Sequence, residues 1–279
     1  LWETEMLLTQ ISTKNAVRFS HFHDNISQLK KTKILFSKNV LADFFEKNIY
    51  YKKNHNHFIC ISNDTLVYAN RVLPKKLRKN IFFIKNAINF KTFYSNKEKN
   101  LKEINLINMG SFVPKKNQKF AVQILNELIK KGFKANLTFL GDGPNIDEVK
   151  LYASKLKIQK HINFKGNIAD VKPFLEDSNF YLHTANYEPF GLVLIEAMAA
   201  GLPVISLDGF GNRDFIEHGE NGYIFKEQNL KDFFECITEL FNNGKLYLKI
   251  INNGYETAKK YDIKEYSRKL LEIYQNSLQ

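Results

Sequence analysis

Cysteine and long apolar runs are both scarce in this chain of 279 residues. The two cysteines, Cys60 and Cys236, lie far apart in the sequence and form no metal-ligand spacing, which favours buried, reduced thiols in a reducing compartment. No apolar run is long enough to cross a bilayer, and the N-terminus lacks a signal-peptide pattern. The remaining composition, 44% hydrophobic and 25% charged, predicts an ordinary globular protein with room for two modest domains.

Acidic residues are few in the first part of the chain. Residues 1–104 hold 19 Lys and Arg against 8 Asp and Glu, whereas residues 105–279 hold 22 against 21. A basic surface of this kind would attract an anionic membrane leaflet or a pyrophosphate-linked lipid. The alternative is a solvated, lysine-rich face. Nucleic-acid binding is not expected, because the aromatic residues form no RNA-recognition signature.

Strand and helix patterns alternate along the chain, most cleanly after Ile104. Strands are predicted at 16–23, 58–62, 81–89, 104–110, 136–140, 161–165, 179–183, 203–206 and 223–225. Helices are predicted at 2–11, 34–51, from 63 onward, and at 117–131, 145–156, 171–176, 191–200, 211–216, 230–242, 245–260 and 264–277. This repetition predicts an α/β fold with a parallel, doubly wound sheet, whose ligands bind beyond the carboxyl ends of the strands.

Two glutamates eight residues apart carry the strongest chemical signal. Glu188 begins the stretch Glu-Pro-Phe-Gly-Leu-Val-Leu-Ile-Glu, which ends at Glu196. The first acid precedes a predicted helix and the second lies within it. A helix start offers unpaired N–H groups that suit a diphosphate, and carboxylates accept hydrogen bonds from sugar hydroxyls. The segment therefore predicts a site for a nucleotide sugar.

This stretch resembles the Glu-x7-Glu signature of the retaining glycosyltransferases of family 4, which have the GT-B fold. Further blocks follow in the family's order: Asn-Met-Gly-Ser-Phe-Val-Pro-Lys-Lys-Asn at 108–117, Phe-Leu-Gly-Asp-Gly-Pro at 139–144, Asn-Phe-Lys-Gly-Asn at 163–167, Gly-Phe-Gly-Asn from 209 and Glu-Asn-Gly-Tyr from 220. The resemblance runs from about Arg18 to the C-terminus. It implies two Rossmann-like, doubly wound lobes, of which the N-terminal lobe is incomplete.

The resemblance also implies how the domains divide. Residues 1–93 would form part of an N-terminal, acceptor-side lobe, and the polar residues 94–103 a linker. Residues 104–262 would form the nucleotide-sugar-binding lobe, and the helix in 263–279 would pack back on the first lobe. Because the first residue is Leu and family members carry further residues before this point, we expect the chain to be truncated at its N-terminus.

Each acidic or basic candidate has a role in the family and a plainer alternative. By resemblance, Glu196 binds the ribose hydroxyls, Glu188 binds the donor sugar near its anomeric carbon, and Lys116 neutralises the departing diphosphate. The alternatives are a helix-surface glutamate, an N-terminal acid favoured by the helix dipole, and a solvated loop lysine. The family's other donor-binding positions, which act mainly through the main chain, correspond to Gly110, Lys165, Gly166, Phe190, Gly191 and Leu192.

One donor-binding position departs from the family. An arginine there, five residues before the lysine, clamps the diphosphate, but this chain has Ser111. A hydroxyl cannot replace the bidentate, always-charged contact of a guanidinium. Either another cation substitutes, with Lys115 and Arg213 as candidates, or turnover is slow or lost.

A histidine motif near the N-terminus completes the candidate set. Arg18-Phe-Ser-His-Phe-His is similar to a strand of bacterial polysaccharide enzymes, which would place His23 at a strand end, in contact with the donor sugar or the acceptor. His21 lies on the same side of that strand, where a purely structural role is as plausible. No third ligand with metal-site spacing accompanies this pair and Asp24. GT-B enzymes require no bound cation, so we expect neither a metal nor a cofactor.

The resemblance implies a hexosyltransferase-like enzyme in the assembly of bacterial capsule, exopolysaccharide or lipopolysaccharide. Its partners would be a UDP- or GDP-sugar donor and a saccharide or lipid-linked acceptor. Its place would be the cytoplasm, with peripheral contact to the inner face of the membrane through the basic N-terminal part. Two alternatives stay open: a weak or inactive nucleotide-sugar-binding subunit, and a nucleotide-sugar epimerase of similar fold. A phosphorylase would need a pyridoxal-phosphate lysine, for which no motif is present.

Overall fold

The computed structural model describes residues 17–23 and 56–278 and divides the chain into two compact units. The first unit comprises residues 1–86 together with 264–279, and the second comprises residues 87–263. The helices predicted at 2–11 and 34–51 lie outside the described residues.

Three parallel strands form the sheet of the first unit, in the order β1 (Phe19–Phe22), β2 (His57–Cys60) and β3 (Ile81–Phe83). Helix α1 (Asn63–Val72) follows β2, and it begins at a capping box in which the Ser62 and Thr65 side chains accept each other's backbone N–H groups. Phe58 of β2 and Tyr68 of α1 are fully buried in one cluster, so strand and helix share one apolar core.

Six parallel strands form the sheet of the second unit, in the order β6-β5-β4-β7-β8-β9. These strands are β4 (Ile104–Met109), β5 (Ala135–Leu140), β6 (Ile162–Phe164), β7 (Phe180–His183), β8 (Val204–Leu207) and β9 (Tyr223–Phe225). The chain winds outward from β4 in one direction and from β7 in the other. The two central strands therefore flank the topological switch point, where open α/β sheets bind their ligands.

Helices cover the sheet of the second unit. They are α2 (Phe90–Phe93), α3 (Gln118–Lys130), α4 (Ile146–Lys155), α5 (Lys172–Asp177), α6 (Leu192–Ala199), α7 (Leu230–Asn242) and α8 (Gly244–Lys259), whereas helix α9 (Ile263–Ser277) belongs to the first unit from residue 264 onward. Phe120, Phe139 and Phe233 are fully buried in the core that these helices enclose. No helix in the described part of the chain combines the length and the apolar character needed to span a membrane.

Two stretches show how the predicted segments sit in these units. Residues 94–103 belong to the second unit: the Tyr255 hydroxyl donates to the Ser95 carbonyl, and the Lys99 ammonium donates to the Leu175 carbonyl at 2.8 Å. Helix α9 from residue 264 onward belongs to the first unit, where the Tyr274 ring lies 4.7 Å from the Phe19 ring. The predicted domain limits themselves stay a prediction.

The helix predicted at 211–216 is wrong. The structure has a short 3₁₀ turn there, Asn212–Asp214. The Asn212 amide donates to the Ser206 hydroxyl and to the Leu207 carbonyl at 2.7 Å each, and its side-chain oxygen accepts the Gly209 N–H at 2.9 Å. These bonds tie the segment to the end of β8 instead of letting it continue as a helix.

Candidate functional site

The loops that follow β4 and β7 meet at the switch point. The Asn186 N–H donates to the Lys115 carbonyl at 2.8 Å, and the Thr184 hydroxyl donates to the Lys116 carbonyl at 3.1 Å. These two bonds fix the loops against each other. They bring the Lys116 Nζ to 2.6 Å from the Glu188 Oε2, with side chains that are 17% and 10% exposed. The structure therefore pairs two side chains that are 72 residues apart in sequence.

A buried histidine lies behind this ion pair. His183 ends β7, is 1% exposed, and places its Nε2 3.2 Å from the same Glu188 Oε2. Although this distance is short enough for a hydrogen bond, the imidazole is not turned to align the two atoms, and neither ring nitrogen has another hydrogen-bond partner among the described residues. Burial lowers the pKa of His183, so its imidazole is neutral at physiological pH.

The carboxyl of Glu188 is held in its ionised form. Burial by itself would raise its pKa, but the neighbouring His183 and the Lys116 ammonium outweigh burial, and they hold the pKa below its ordinary value. An acid in this environment serves as a fixed negative charge and hydrogen-bond acceptor, not as a proton donor at neutral pH.

A second loop clamps the main chain of Glu188. The Glu188 N–H donates to the Gly209 carbonyl at 2.8 Å, and the Gly211 N–H donates to the Glu188 carbonyl at 2.9 Å. A Cβ at Gly211 would lie 1.9 Å from the Pro189 carbonyl oxygen, so a side chain there would clash with the main chain. The loop after β8 can approach Glu188 this closely only because glycine occupies that position.

Helix α6 begins directly after the acid. Its N-cap, Gly191, has φ +97°, and a Cβ there would lie 2.7 Å from the Leu194 side chain. No side chain caps this helix start, so the N–H groups of the first turn lack a capping group. Such a helix start suits a phosphate group.

The second acid of the motif lies on a different surface of the same site. Glu196 lines a cavity of about 280 Å³ together with Met109, Gly110, Ser111, Leu140, Gly141, Asn167, Ile168, Val171 and Val193. Burial raises the pKa of Glu196 to about 7. Among the described residues its carboxyl makes no hydrogen bond or ion pair. The cavity therefore holds one acid without a partner, next to the ends of β4 and β5.

The ion pair and the cavity adjoin at Gly110. Gly110 lines the cavity, and the Lys116 side chain passes over it, with its Nζ 3.9 Å from the position a Cβ would occupy there. Ser111 lines the cavity as well and is exposed. Lys116, Glu188, Ser111 and Glu196 are therefore gathered around one end of the sheet of the second unit.

Both candidate replacements for the missing arginine are engaged with other groups. The Arg213 guanidinium donates from Nε to the Asp208 Oδ1 at 2.9 Å and lies 4.9 Å from the centre of the Phe210 ring. The Lys115 ammonium lies 5.6 Å from the centre of the Tyr187 ring. A phosphate contact from either cation would require it to exchange or share its present partner.

The remaining predicted residues have separate surroundings. Lys165 is exposed, its N–H donates to the Phe139 carbonyl at 3.0 Å, and the Gly166 carbonyl accepts the Gly141 N–H at 2.7 Å. Neither residue lines the cavity, whereas Asn167 and Ile168 do so. The Phe190 ring is buried against Phe215 and Tyr261, so only its main chain can contribute to the site, and Leu192 begins helix α6.

The predicted histidine lies in the other unit. His23 follows β1 and is exposed, and its ring lies 5.8 Å from that of His21. Within residues 17–23 and 56–278, no group of three or more His, Cys, Asp and Glu side chains could hold a metal ion. The contact predicted for His23 with the donor or the acceptor stays a prediction.

Sequence reasoning missed His183. A histidine at the end of the apolar strand Phe-Tyr-Leu-His, five residues before Glu188, is a signal that could have been noticed. In the loop of Gly209, Phe210 and Gly211, it is Phe210 that has a positive φ, +80°, and not either of the two glycines. Their spacing reflects the close approach of this loop to Glu188 and Pro189.

The sequence profile of a known family matches residues 89–257, and its description is "Glycosyl transferases group 1". The chain belongs to this family. The match covers nearly the whole second unit, including both loops of the ion pair and the cavity. The family predicted from the motifs is thereby confirmed at the level of group 1 glycosyltransferases.

Curated relatives are similar over this same part. The poly(ribitol-phosphate) alpha-N-acetylglucosaminyltransferase of Staphylococcus aureus is 27% identical over 168 residues, which are 60% of this chain and 34% of that protein. The lipopolysaccharide core biosynthesis glycosyltransferase LpsE of Rhizobium meliloti is 28% identical over 152 residues, which are 54% of this chain and 44% of that protein. The chain thus spans between a third and a half of the length of these relatives.

Solved structures share the fold at lower identity. Sucrose-phosphate synthase from Thermosynechococcus elongatus superposes with a TM-score of 0.82 at 19% identity, over 99% of this chain and 70% of that one. HepE of Anabaena, in complex with UDP and glucose, gives 0.79 at 18% identity, over 92% of this chain and 71% of that one. These likenesses confirm the predicted α/β fold with parallel sheets of the GT-B type.

Proposed function

We propose that this chain is the donor-binding part of a retaining glycosyltransferase, which transfers a sugar from a UDP- or GDP-sugar to a hydroxyl acceptor. The observation that carries the proposal is the pairing of Lys116 with Glu188 at 2.6 Å, next to the cavity that Glu196 lines. Lys116, Glu188 and the start of helix α6 lie together at the switch point of the sheet. The chain belongs to a family whose members are glycosyltransferases.

Each group can serve one part of the donor. Breaking the bond between sugar and diphosphate places negative charge on the phosphate, and Lys116 and the free N–H groups at the start of α6 would stabilise that charge. Glu188 would accept hydrogen bonds from sugar hydroxyls. Glu196 would accept two hydrogen bonds from the ribose, which supplies the partners that its carboxyl lacks.

The proposal includes retention of the donor's anomeric configuration. The ionised Glu188 is already bound to Lys116, so the proposal gives it no role as a covalent nucleophile. By analogy with the retaining family that the motifs resemble, the acceptor hydroxyl would attack from the side of the leaving group and give its proton to the departing phosphate. No metal takes part in this proposal.

The relatives' names suggest the biological setting. One similar protein is named for poly(ribitol-phosphate) and another for lipopolysaccharide core biosynthesis. We extend this setting to the chain and propose a role in bacterial cell-surface polysaccharide synthesis, with a saccharide or lipid-linked acceptor. A cytoplasmic location, with the basic first 104 residues against an anionic membrane face, belongs to the same proposal.

Calorimetry and product analysis test the enzymatic role. The chain would be titrated with UDP and GDP and then with UDP-glucose, UDP-N-acetylglucosamine and GDP-mannose, and hydrolysis of the tightest-binding donor would be followed by proton NMR. We expect one nucleotide to bind and the released sugar to carry the donor's anomeric configuration at first. No binding of any of the five compounds would overturn the proposal, and an inverted product would overturn retention.

A weak or inactive nucleotide-sugar-binding subunit is the second candidate. Ser111 favours it, because the two candidate replacements for the missing arginine, Arg213 and Lys115, are engaged with Asp208 and Tyr187. Donor binding without any hydrolysis or transfer, measured in the presence of simple hydroxyl acceptors, would favour this candidate over the enzyme.

A further inference from the structure

We propose that His183 is a positioning residue: its Nε2–H holds the Oε2 of Glu188 and leaves the Oε1 of that acid to the donor sugar. The inference rests on the proposed function, because it assigns a task within the same site. It adds a third member to the pair of Lys116 and Glu188.

The location of His183 leaves it few other roles. It is 1% exposed at the end of β7, and its ring lies 6.3 Å from that of Tyr181, which precedes it by two residues on the same side of the strand. An imidazole that is buried this deeply cannot touch a substrate, so a role as general base is excluded. It can act only through a neighbouring group.

Glu188 is that neighbour. Buried polar groups in proteins are almost always hydrogen-bonded, yet both nitrogens of His183 lack a partner within the described chain. The Glu188 Oε2, at 3.2 Å from Nε2, is already within bonding distance and needs only alignment. The terminal torsion of histidine is broad, so a modest rotation of the ring supplies that alignment.

The protonation state then decides the direction of the bond. Burial keeps the imidazole neutral, so one of its nitrogens carries a hydrogen and the other carries a lone pair. A lone pair at Nε2 would face a carboxylate oxygen and repel it. The tautomer with the hydrogen on Nε2 instead donates to Oε2, and this is the tautomer that we infer.

Two donors on one oxygen orient the whole carboxylate. The Lys116 ammonium and the His183 imidazole both contact Oε2, from which they lie 2.6 and 3.2 Å away. The other oxygen, Oε1, makes no hydrogen bond to any described residue. The group thus keeps one oxygen occupied and presents the other to a ligand in a fixed direction.

A pair of amide substitutions tests this arrangement. His183→Gln places an amide N–H near the position of Nε2, whereas His183→Asn places it near that of Nδ1. We expect His183→Gln to keep donor hydrolysis within about threefold of the unsubstituted chain and His183→Asn to lower it by roughly tenfold or more, with UDP affinity unchanged in both. Equal losses in the two variants, or a loss of UDP affinity, would overturn the positioning role.

Histidine tautomers, read by two-dimensional nitrogen–proton NMR on the histidine-labelled chain, provide a test that needs no ligand. We expect His183 to show a neutral Nε2–H tautomer, with shifts that change in Glu188→Gln and stay constant in the matched control Glu196→Gln. An Nδ1–H tautomer, or shifts that do not respond to Glu188→Gln, would overturn the inference. If the NMR result holds but no nucleotide binds, the proposed function fails separately.

Discussion

The two acids of the Glu-x7-Glu motif lie in contrasting surroundings. Glu188, on what we call the paired side, shares its Oε2 with Lys116 and His183. Glu196, on the open side, lines a cavity and has neither a hydrogen bond nor an ion pair among the described residues. The paired side has its geometry before any ligand arrives, whereas the open side holds an acid that gains partners only from a ligand.

Because of this contrast, the two acids change the free energy of unfolding in opposite directions as the pH rises. The pKa of Glu188 is lowered, so its contribution to the free energy of unfolding is present above the ordinary value of 4.5 and is lost as the pH falls below that value. The pKa of Glu196 is raised to about 7, so the folded state loses stability as the pH rises from about 4.5 to about 7. One acid therefore stabilises the fold in its charged form, and the other destabilises it.

The largest effect should come from removing the paired acid. Glu188→Ala leaves the Lys116 ammonium without its counter-charge and removes the proposed sugar contact. We expect donor turnover to fall on the order of 10²–10³-fold. We also expect the free energy of unfolding in urea to fall by ~3 kcal/mol, because an ion pair with little exposure loses one partner.

A double variant provides the control for this loss. Glu188→Ala combined with Lys116→Met removes both charges and restores much of the stability without restoring turnover. If the double variant were no more stable than Glu188→Ala, the unpaired ammonium would not be the cause. Unchanged turnover in Glu188→Ala would remove the acid from the proposed chemistry.

Glu196→Gln should have the next largest effect on the proposed function, through nucleotide binding. We expect nucleotide affinity at pH 8 to fall by roughly tenfold, because a neutral amide accepts ribose hydrogen bonds less strongly than a carboxylate does. The unsubstituted chain should bind the nucleotide more weakly at pH 6 than at pH 8, since its carboxyl is protonated below about pH 7. The affinity of the variant should be flat over this range, as calorimetry at both pH values would show.

Unfolding measurements test the raised pKa of Glu196 without a ligand. Glu196→Gln should be more stable than the unsubstituted chain above pH 7, by an amount on the order of 2 kcal/mol, and equally stable near pH 4. A pH-independent difference between the two would contradict the raised pKa. Equal nucleotide affinity at pH 8 would contradict the ribose role instead.

The order of strands and helices made much of this site predictable. A strand ends at Met109 and another at His183, and parallel strands bring their carboxyl ends to one edge of a sheet. The meeting of Lys116 with Glu188 follows from that rule, and so does the nearness of Glu196, which lies one turn into the helix that begins at Leu192. Such features depend on periodicity and strand order, which a sequence displays directly.

Other features depend on side-chain directions that a sequence does not display. Nothing in the strand Phe-Tyr-Leu-His shows that His183 turns toward Glu188, because the identity of the residue across from it is set by packing. The prediction of a helix at 211–216 is wrong for the same reason. The Asn212 side chain bonds to the end of β8, and the segment ends after one turn. The partner of Arg213, Asp208, also became known only from the structure.

Ser111→Arg sharpens the contrast by adding a charge to the open side. Ser111 is exposed and lines the cavity, so a guanidinium there can reach a bound diphosphate. We expect donor turnover to rise by about tenfold. Ser111→Gln, which is polar and uncharged, serves as the matched control and should change turnover little. A loss of turnover in Ser111→Arg alone would show that another cation already occupies that space.

Arg213→Gln should have the smallest effect. It tests whether Arg213 is the cation that already occupies the space near Ser111. Its guanidinium is half-exposed and lies 2.9 Å from Asp208, so the pair contributes only about 0.5 kcal/mol to folding. Because the guanidinium is already bound to Asp208 and lies over the Phe210 ring, we expect donor turnover to fall less than about twofold in kinetic measurements. A tenfold loss would mean that Arg213 leaves Asp208 for the diphosphate, and that the open side, like the paired side, has a cation of its own.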